Sequence, residues 1–399
     1  MSEAPSQRRL LIGALGTTQI LAWGSSYYLP AVLAGPTSAD TGWPLPWVVG
    51  GLSAGLLVAG LASTVTGRLI QRHGGRPVLS ASSVLLASAL TLMAVAGTYP
   101  VFLSAWLLMG LGMSAGLYDA GFSTLGRLYG AKARSAITTL TLFGGFASTV
   151  CWPLSAYLVE AYGWRGACLC YAAIHLFICL PLHLFAVPSV PRPMIDRPTD
   201  RPRATVPTTG RERRAFALLA LVLTLAALIA SMVSVHLLAV LQARGLDLAT
   251  AVALGALIGP AQVGARVAEM AIGRNRHHPV WTMLASVILL ASGLGLLLFS
   301  LPLTALALIL YGAGNGIHTI ARGALPLVLF DPQRYAALMG KLAMPSQIAQ
   351  AAAPSIGAVL IGYGEGAMLG VLFAVALVNV ALVVLLARLA RSGASVTPA

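Results

Sequence analysis

The sequence predicts an all-α membrane protein whose twelve transmembrane helices form two pseudo-symmetric six-helix bundles. Three observations support this fold class: the apolar composition, the one-sided distribution of basic residues and a weak internal repeat. Of the 399 residues, 58% are hydrophobic and only 9% are charged, and the mean hydropathy is +0.85. Soluble domains carry roughly 25% charged residues, so the composition excludes an ordinary soluble protein.

Apolar runs mark the individual helices, because each bilayer crossing needs about 20 such residues. Twelve runs lie near residues 10–34, 45–67, 76–96, 99–126, 135–159, 166–186, 215–242, 249–272, 279–299, 303–329, 336–361 and 364–387. A Pro- and Arg-rich stretch between the sixth and seventh runs has the composition of a linker. We therefore predict an N-terminal bundle over 1–186, a cytoplasmic linker over 187–213 and a C-terminal bundle over 214–399.

The basic residues give the orientation in the membrane. Of the 25 Lys and Arg, 21 fall on one side of the twelve-helix map, only Arg165 and Arg244 fall on the other, and Arg266 and Arg322 lie within helices. Basic loops stay in the cytoplasm, so both termini are predicted to be cytoplasmic, with the protein in an inner or plasma membrane. The net charge of +14 is then a consequence of topology and not of nucleic-acid binding.

An internal repeat supports the two-bundle arrangement. The segments "GLGMSAGLYDAG" (110–121) and "GAGNGIHTIARG" (312–323) share glycines at their first, third and last positions, at an offset of 202 residues. The pair Gly67-Arg68 recurs as Gly273-Arg274 after the second helix of each half. Two parallel repeats with a substrate cavity near the midplane are typical of secondary transporters, which rock one half against the other.

The loop after helix 2 resembles the signature of the major facilitator superfamily, Gly-x-x-x-Asp-Arg-x-Gly-Arg-Arg. In "GRLIQRHGGR", the matching positions are Gly67, Arg72, Gly74 and Arg76. Gln71 replaces the Asp, which is expected to hold a charge-mediated cytoplasmic latch in that family, and Gly75 replaces one Arg. The resemblance implies a transporter without catalytic residues, cofactor or metal, which we expect to be a monomer.

Within the superfamily, "WGSSYYLP", "GWPLPWVVGG" and "GWRGAC" resemble the bacterial branch near monocarboxylate and oxalate/formate porters. That branch often has an Asp four residues before a helix 8 arginine, whereas Gln262 precedes Arg266 here, and it often has a lysine in helix 1, which this chain lacks. The expected substrate is a small organic anion. Two alternatives stay open: proton-coupled export of amphipathic drug-like compounds, and sugar transport.

Polar residues inside the predicted helices are candidates for the substrate site. Asn315, His318 and Arg322 are spaced i, i+3 and i+7, so they share one face of helix 10. The full predicted substrate-binding set is Arg322, His318, Asn315, Tyr27, Gln19 and Arg266. A buried network between two helices is the alternative for the helix 10 face. Arg266 has its own alternative, which is snorkelling or a salt bridge with Glu269 three residues later.

Asp119 is the predicted proton-coupling residue, because it is the only acid deep within a span of the N-terminal half. Burial raises the pKa of a carboxyl and a nearby cation lowers it, so a carboxyl exposed to two environments in turn can take up and release a proton. We expect Arg322 to pair with Asp119 when the site is empty and with a substrate carboxylate when it is filled, since a guanidinium fits carboxylates. A fixed ion pair is the alternative.

A function of a different class, an intramembrane serine hydrolase, is suggested by "GLSAG" (51–55) and "GMSAG" (112–116). Both match the Gly-x-Ser-x-Gly nucleophile elbow, which requires a strand that turns into a helix. Here both lie in apolar helices, where the same letters form GxxxG packing surfaces. A hydrolase would need a histidine facing Ser53 or Ser114. The four cysteines, which include no CxxC pair, are interpreted as apolar packing residues.

Overall fold

The computed structural model describes residues 5–189, 210–273, 278–299 and 301–391, so most of the predicted linker lies outside the described residues. The described residues form sixteen α-helices and no strand. The helices are α1 (Pro5–Gly24), α2 (Pro30–Thr41), α3 (Leu45–His73), α4 (Gly75–Ala94), α5 (Tyr99–Gly116), α6 (Tyr118–Tyr129), α7 (Arg134–Gly145), α8 (Ala147–Ile174), α9 (Leu180–Ala186), α10 (Gly210–Ala243), α11 (Leu248–Gly255), α12 (Ile258–Gly273), α13 (Pro279–Phe299), α14 (Thr304–Leu329), α15 (Tyr335–Gly362) and α16 (Glu365–Arg391).

These helices confirm the predicted all-α, twelve-span fold. The first, fourth, fifth and eighth predicted spans each consist of two helices, namely α1 with α2, α5 with α6, α7 with α8 and α11 with α12, and the sixth consists of the end of α8 followed by α9. Gly163, at φ +69°, separates the fifth span from the sixth within α8. By length and composition, seven helical runs among the described residues can cross a membrane. This number is below twelve because one run, Arg134–Ala186, contains both the fifth and the sixth span, and because the first, eighth, tenth and eleventh spans are not among the seven. The first and eighth are divided into shorter helices, and α14 and α15 contain polar residues.

The chain divides into two compact units, residues 1–205 with 332–344 and residues 206–331 with 345–399. The segment 332–344 therefore groups with the first unit, although it follows the second repeat in the sequence. The start of α15 packs against α3 in this unit, where Ser63 Oγ donates to the Gly340 carbonyl at 2.8 Å. A Cβ atom at Gly67 would lie 2.5 Å from the Ala336 carbonyl oxygen. Only glycine at position 67 permits this approach.

The glycines of the internal repeat make equivalent contacts in the two units. A Cβ at Gly110 would lie 2.2 Å from the Gly55 carbonyl oxygen on α3, and a Cβ at Gly312 would lie 2.8 Å from the Ile258 carbonyl oxygen on α12. Two residues later, Gly112 meets α4 and Gly314 meets α13. Each glycine pair thus lets the fourth helix of a unit approach the second and third helices closely. The weak sequence repeat therefore corresponds to a repeated packing pattern.

The two basic residues that the predicted span map separates from the other cations, Arg165 and Arg244, cap equivalent helices. Arg165 Nη1 donates to the carbonyls of Ala94 and Ala96 at 2.8 Å, at the end of α4. Arg244 donates to carbonyls at the end of α13, including that of Leu298 at 3.1 Å. The last carbonyls of a helix lack intrahelical donors, and the helix dipole favours a cation there. Helix capping explains why arginine is found at these two exceptional positions.

Candidate functional site

The fourth span of the first unit is broken beside the predicted coupling residue. Leu117 is extended, with φ −82° and ψ −169°, and separates α5 from α6. The Ala120 N–H donates to the Leu117 carbonyl at 3.1 Å, while the Gly116 carbonyl accepts a hydrogen bond from Gln19 Nε2 at 2.6 Å. A side chain from α1 therefore satisfies a carbonyl at the break.

Asp119 is half-buried and lies in the first turn of α6, just after this break. Backbone N–H groups and the helix dipole stabilise a negative charge at a helix N-terminus. The apolar run predicts one continuous helix with Asp119 in its interior, whereas the structure divides this span at Leu117. The signal that was available is Gly116 followed closely by an aspartate, since acids favour first turns.

Gln19 was predicted to bind substrate, and in the structure it contacts the backbone at the α5–α6 break. Its side chain is 0% exposed. Its amide nitrogen donates to Gly116, and its Oε1 accepts a hydrogen bond from Trp23 Nε1 at 3.2 Å. Both ends of the amide thus have partners within the protein. This geometry favours a role in holding the α5–α6 break over direct contact with a substrate.

Tyr27 lies in an aromatic cluster, which we define as Trp23, Tyr27, Tyr28, Tyr118 and Trp152. Ring centroids are 5.3 Å apart for Trp23 and Tyr27, and 5.1 Å apart for Trp23 and Tyr118. Tyr28 lies 6.1 Å from Trp23 and 6.2 Å from Trp152. Tyr27 and Tyr28 are in the turn between α1 and α2, not on a continuous helix, and both are half-buried. The cluster joins α1, α6 and α8.

In the second unit, the predicted polar face lies on the unbroken helix α14. His318 is buried, at 8% exposure, and its Nδ1 lies 3.5 Å from Ser286 Oγ on α13. Asn315 and Arg322 are half-buried. His318 therefore contributes to packing between α13 and α14, whereas Asn315 and Arg322 keep accessible surface within a span.

Arg266 is the more buried of the two arginines in the predicted set, at 4% exposure. Its Nε donates to the Gly316 carbonyl on α14 at 3.2 Å, and its Nη2 lies 3.5 Å from Thr319 Oγ1. Glu269 accepts a hydrogen bond from Thr282 Oγ1 at 2.8 Å. These contacts place Arg266 in the packing between α12 and α14 and favour a structural role over substrate contact.

The loop-motif residues surround the junction of α3 and α4. Gly74 has φ +85°, a conformation that favours glycine, and a Cβ at Gly75 would lie 2.1 Å from Thr124 Oγ1. Gln71 Nε2 donates to the Gln333 carbonyl in the segment 332–344 of the same unit. The side chain at the signature's Asp position is therefore a neutral amide, and it donates to a backbone carbonyl. Arg72 is exposed and Arg76 is half-buried.

Two histidines of the sixth span, His175 and His183, are held by hydrogen bonds that the sequence pattern does not predict. His175 Nε2 lies 2.7 Å from Ser25 Oγ, and His183 lies 2.9 Å from Ser83 Oγ through Nδ1 and 3.0 Å from Thr18 Oγ1 through Nε2. His175 begins a single π-helical turn, His175–Cys179. These bonds join α1 and α4 to the sixth span.

His236 Nε2 lies 2.9 Å from the Pro354 carbonyl on α15, so this nitrogen carries the hydrogen. Pro354 also removes the N–H that would bind the Gln350 carbonyl, and Ser231 Oγ donates to that carbonyl at 3.1 Å. These bonds compensate for proline within α15 and favour a core role for His236.

The hydrolase alternative has no geometric support in the described residues. Ser114 Oγ pairs with Thr66 Oγ1 at 3.0 Å, whereas His175 pairs with Ser25 and His318 with Ser286. Gly51 and Gly55, which flank Ser53, pack against Trp106. The described residues also contain no group of three His, Cys, Asp or Glu arranged to hold a metal ion.

Comparison with known proteins identifies the family. Residues 11–276 match the profile of the Major Facilitator Superfamily. Mouse monocarboxylate transporter 6 is 28% identical over 46% of this chain and 40% of its own length. Human monocarboxylate transporter 11 is 30% identical over 46% of this chain and 38% of its own length. The chain thus spans about two fifths of the length of these curated relatives.

Solved structures show the same fold at low identity. The human organic anion transporter MFSD10 (TETRAN) is 16% identical with a TM-score of 0.72, over 96% of this chain and 100% of that one. The Escherichia coli fucose:proton symporter FucP is 12% identical with a TM-score of 0.66, over 93% of this chain and 98% of that one. At such identities the likeness supports the fold alone.

Proposed function

The chain belongs to the major facilitator superfamily, and on that premise we propose that it is a secondary active transporter of a small organic anion that works by alternating access. The observation that carries the anion is Arg322, a half-buried guanidinium on α14 in line with Asn315. A charge within a span costs roughly 2.5 to 3.5 kcal/mol on insertion scales. Binding of an anionic substrate is the functional reason to retain it.

Depth within the span and the contacts of Arg266 support Arg322 over Arg266 as the substrate ligand. Arg322 lies seven residues before Leu329, the last residue of α14, or about 10 Å at 1.5 Å per residue, which is deep for snorkelling. Arg266 directs its guanidinium to the backbone and side chain of α14. Arg322 presents a planar fork that matches a carboxylate. The curated relatives are named as monocarboxylate transporters, which favours a carboxylate among anions.

Asp119 is proposed to couple transport to protons. It is half-buried at the start of α6, beside a helix break that Gln19 stabilises. Broken helices at membrane depth are typical of transporter binding and coupling sites. A carboxyl there can change its protonation when its surroundings change. We further propose cytoplasmic termini in an inner or plasma membrane, because most basic residues fall on one side of the span map.

The second candidate is proton-coupled export of amphipathic compounds, and the aromatic cluster beside Asp119 favours it. Export of a lipophilic cation would depend on the carboxylate and would tolerate loss of Arg322. The two candidates therefore make opposite predictions for Arg322→Ala.

The test is uptake of radiolabelled monocarboxylates by proteoliposomes that contain equal amounts of wild-type or variant protein. Arg322→Ala should lower uptake by about a hundredfold, in line with loss of a charge-assisted bidentate contact, and Arg322→Lys should retain part of it. Arg68→Ala, at an exposed cytoplasmic arginine, is the matched control and should transport normally. Normal anion uptake by Arg322→Ala, together with export of cationic dyes that requires Asp119, would favour the second candidate.

A further inference from the structure

Arginines are concentrated in the second unit where α10 begins and α16 ends. Residues 210–225 and 375–391 together contain five arginines and one acid, Glu212. The side chains of Arg214 and Arg388 are exposed, whereas Glu212 is half-buried. This end of the two helices therefore presents a positive surface, which the proposed transport site does not use.

Hydrogen bonds join α10 and α16 side by side. Arg211 Nη2 donates to the Leu389 carbonyl at 2.7 Å and to the Ala390 carbonyl at 3.2 Å. Deeper in the span, Asn379 Nδ2 donates to the Val222 carbonyl at 3.2 Å. A step forward along α10 thus corresponds to a step back along α16, so the two helices are antiparallel neighbours.

This packing brings Arg214 and Arg388 to nearly the same depth. Arg214 follows Arg211 by three residues, and Arg388 directly precedes Leu389, which Arg211 contacts. At 1.5 Å per residue, the two levels differ by about 3 Å. Two exposed guanidinium groups on adjacent helices can therefore reach the same anionic group.

The length of α10 places this surface in the headgroup layer of the membrane. Its 34 residues extend over about 51 Å, whereas the hydrocarbon core of a bilayer is about 30 Å thick. The polar start of the helix, "GRERR", directly precedes an apolar run that begins at Ala215. Because the apolar run fills the hydrocarbon core, the arginines before it lie at the level of the lipid phosphates.

Exposed apolar residues continue from each arginine toward the membrane interior. The two exposed stripes consist of Arg214, Ala217 and Leu221 on α10, and of Arg388, Leu385, Ala381 and Val378 on α16. Steps of three and four residues place each stripe on one face of its helix. A phospholipid has the complementary order, because its phosphate lies above apolar chains. A soluble phosphate would leave the apolar part of the stripes unused.

We propose that the ends of α10 and α16 form a binding site for an anionic phospholipid such as phosphatidylglycerol. Arg214 and Arg388 hold its phosphate, and its acyl chains lie along the two stripes. A guanidinium presents a planar set of donors that matches phosphate oxygens, and basic clusters next to a span attract anionic lipids. Arg211 is a positioning residue, because it holds the two helix ends together. This site is independent of the transported substrate.

The test is thermal unfolding of the purified full chain in a neutral detergent, titrated with phosphatidylglycerol or with phosphatidylcholine. A lipid that binds the folded protein raises its unfolding temperature. Phosphatidylglycerol should stabilise the wild type at lower concentration than phosphatidylcholine, whose choline group is cationic. Arg214→Ala and Arg388→Ala should each raise the required phosphatidylglycerol concentration about fivefold, the usual contribution of one arginine near an anionic membrane surface.

Arg68→Ala is the matched control, because it removes an exposed arginine from the first unit, and it should titrate as the wild type does. A shift in this control as large as that in Arg214→Ala would mean general attraction between cations and lipid, and would overturn the proposal. Equal stabilisation of the wild type by the two lipids would also overturn it. Glycerol 3-phosphate carries the phosphate without chains, so stabilisation by it at the same concentration as phosphatidylglycerol would assign the arginines to a soluble anion instead.

Both substituted side chains are exposed, so the two variants should unfold at the wild-type temperature in the absence of lipid. If that temperature changes, native mass spectrometry measures the bound phosphatidylglycerol directly. Retention of this lipid by the wild type and Arg68→Ala, with loss in Arg214→Ala and Arg388→Ala, supports the site. Equal retention by all four proteins contradicts it.

Discussion

The fourth helices of the two units have related sequences but different structures. In the first unit the helix breaks at Leu117 and Asp119 starts a new helix, α6. In the second unit α14 continues from Thr304 to Leu329 and carries Arg322 one position after the residue equivalent to Asp119. The shared glycines make equivalent close contacts in both units. The shared glycines therefore account for the common packing, and the break at Leu117 has no counterpart in α14.

In both units a side chain from a neighbouring helix donates to a backbone carbonyl of the fourth helix. In the first unit the Gln19 amide takes the place of an intrahelical donor at Gly116. In the second unit Arg266 donates to the Gly316 carbonyl, and the helix remains continuous. A break places the acid at a helix N-terminus, where a carboxylate is stabilised. An unbroken helix holds the arginine on a rigid face, which suits anion binding. The units thus combine one packing scheme with two different charge sites.

The largest expected effect separates the roles of the two charges. Asp119→Asn should abolish uphill, pH-driven accumulation, so that the internal to external substrate ratio falls to about one, because an amide cannot carry the proton. Exchange of internal for external substrate should continue, since Arg322 is intact. Counterflow and pH-jump assays on the same proteoliposomes measure both quantities. Accumulation that survives the substitution would remove Asp119 from coupling and leave it a structural role.

The next prediction concerns the hydrogen bond between Gln19 and the Gly116 carbonyl at the helix break. Gln19→Leu leaves the buried Gly116 carbonyl without its side-chain donor, which costs about 1 to 3 kcal/mol. We expect a lower thermal unfolding temperature and slower proton-driven uptake, with exchange less affected. Gln242→Leu, at the exposed end of α10, is the matched control and should behave as wild type. If Gln19→Leu slows exchange as much as coupled uptake, Gln19 contacts the substrate as the sequence first suggested.

Much of the fold follows from the sequence alone. The twelve apolar runs predict the spans because a bilayer requires long apolar helices, and the glycine offset predicts the repeated packing. The sequence did not predict where spans divide. The break at Leu117 is accompanied by a hydrogen bond from Gln19 to Gly116, 97 residues apart. The turn after Gly24 is accompanied by one between Ser25 and His175, 150 residues apart. Non-local hydrogen bonds of this kind leave little trace in the local pattern.

The candidate site was predicted less completely, for the same reason. Spacing places Asn315, His318 and Arg322 on one face, but only the position of α13 shows that His318 is buried beside Ser286. Gln19 and Arg266 were also chosen as polar residues within apolar helices. Their partners prove to be backbone carbonyls of neighbouring helices. Residue type indicates that a polar group needs a partner in the membrane, and only the structure shows whether that partner is protein.

A smaller effect is expected where α15 begins. Gly67→Ala would place a Cβ 2.5 Å from the Ala336 carbonyl oxygen and 3.0 Å from Gly340 Cα, so backbone must move. Overpacking of this kind costs about 1 to 3 kcal/mol, and the unfolding temperature should fall. Gly13→Ala has nothing within 4 Å of the new Cβ and should be neutral or slightly stabilising. Equal unfolding temperatures for the two variants would mean that the segment 332–344 is not packed this closely in the membrane.

The smallest effect compares the two arginine caps. Arg244→Ala removes donors from the end of α13, and Arg165→Ala removes donors from the end of α4. Each loss should cost about 0.3 to 1 kcal/mol, the usual range for a cation at a helix C-terminus. Arg165 also lies 3.4 Å from Asp40 and 4.3 Å from the Trp164 ring centroid, so its removal should lower the unfolding temperature more. Because the Asp40 pair is largely exposed, the difference should shrink at high salt. A larger drop for Arg244→Ala at low salt would show that these extra contacts add no stability, and that the cap on α13 is the more important of the two.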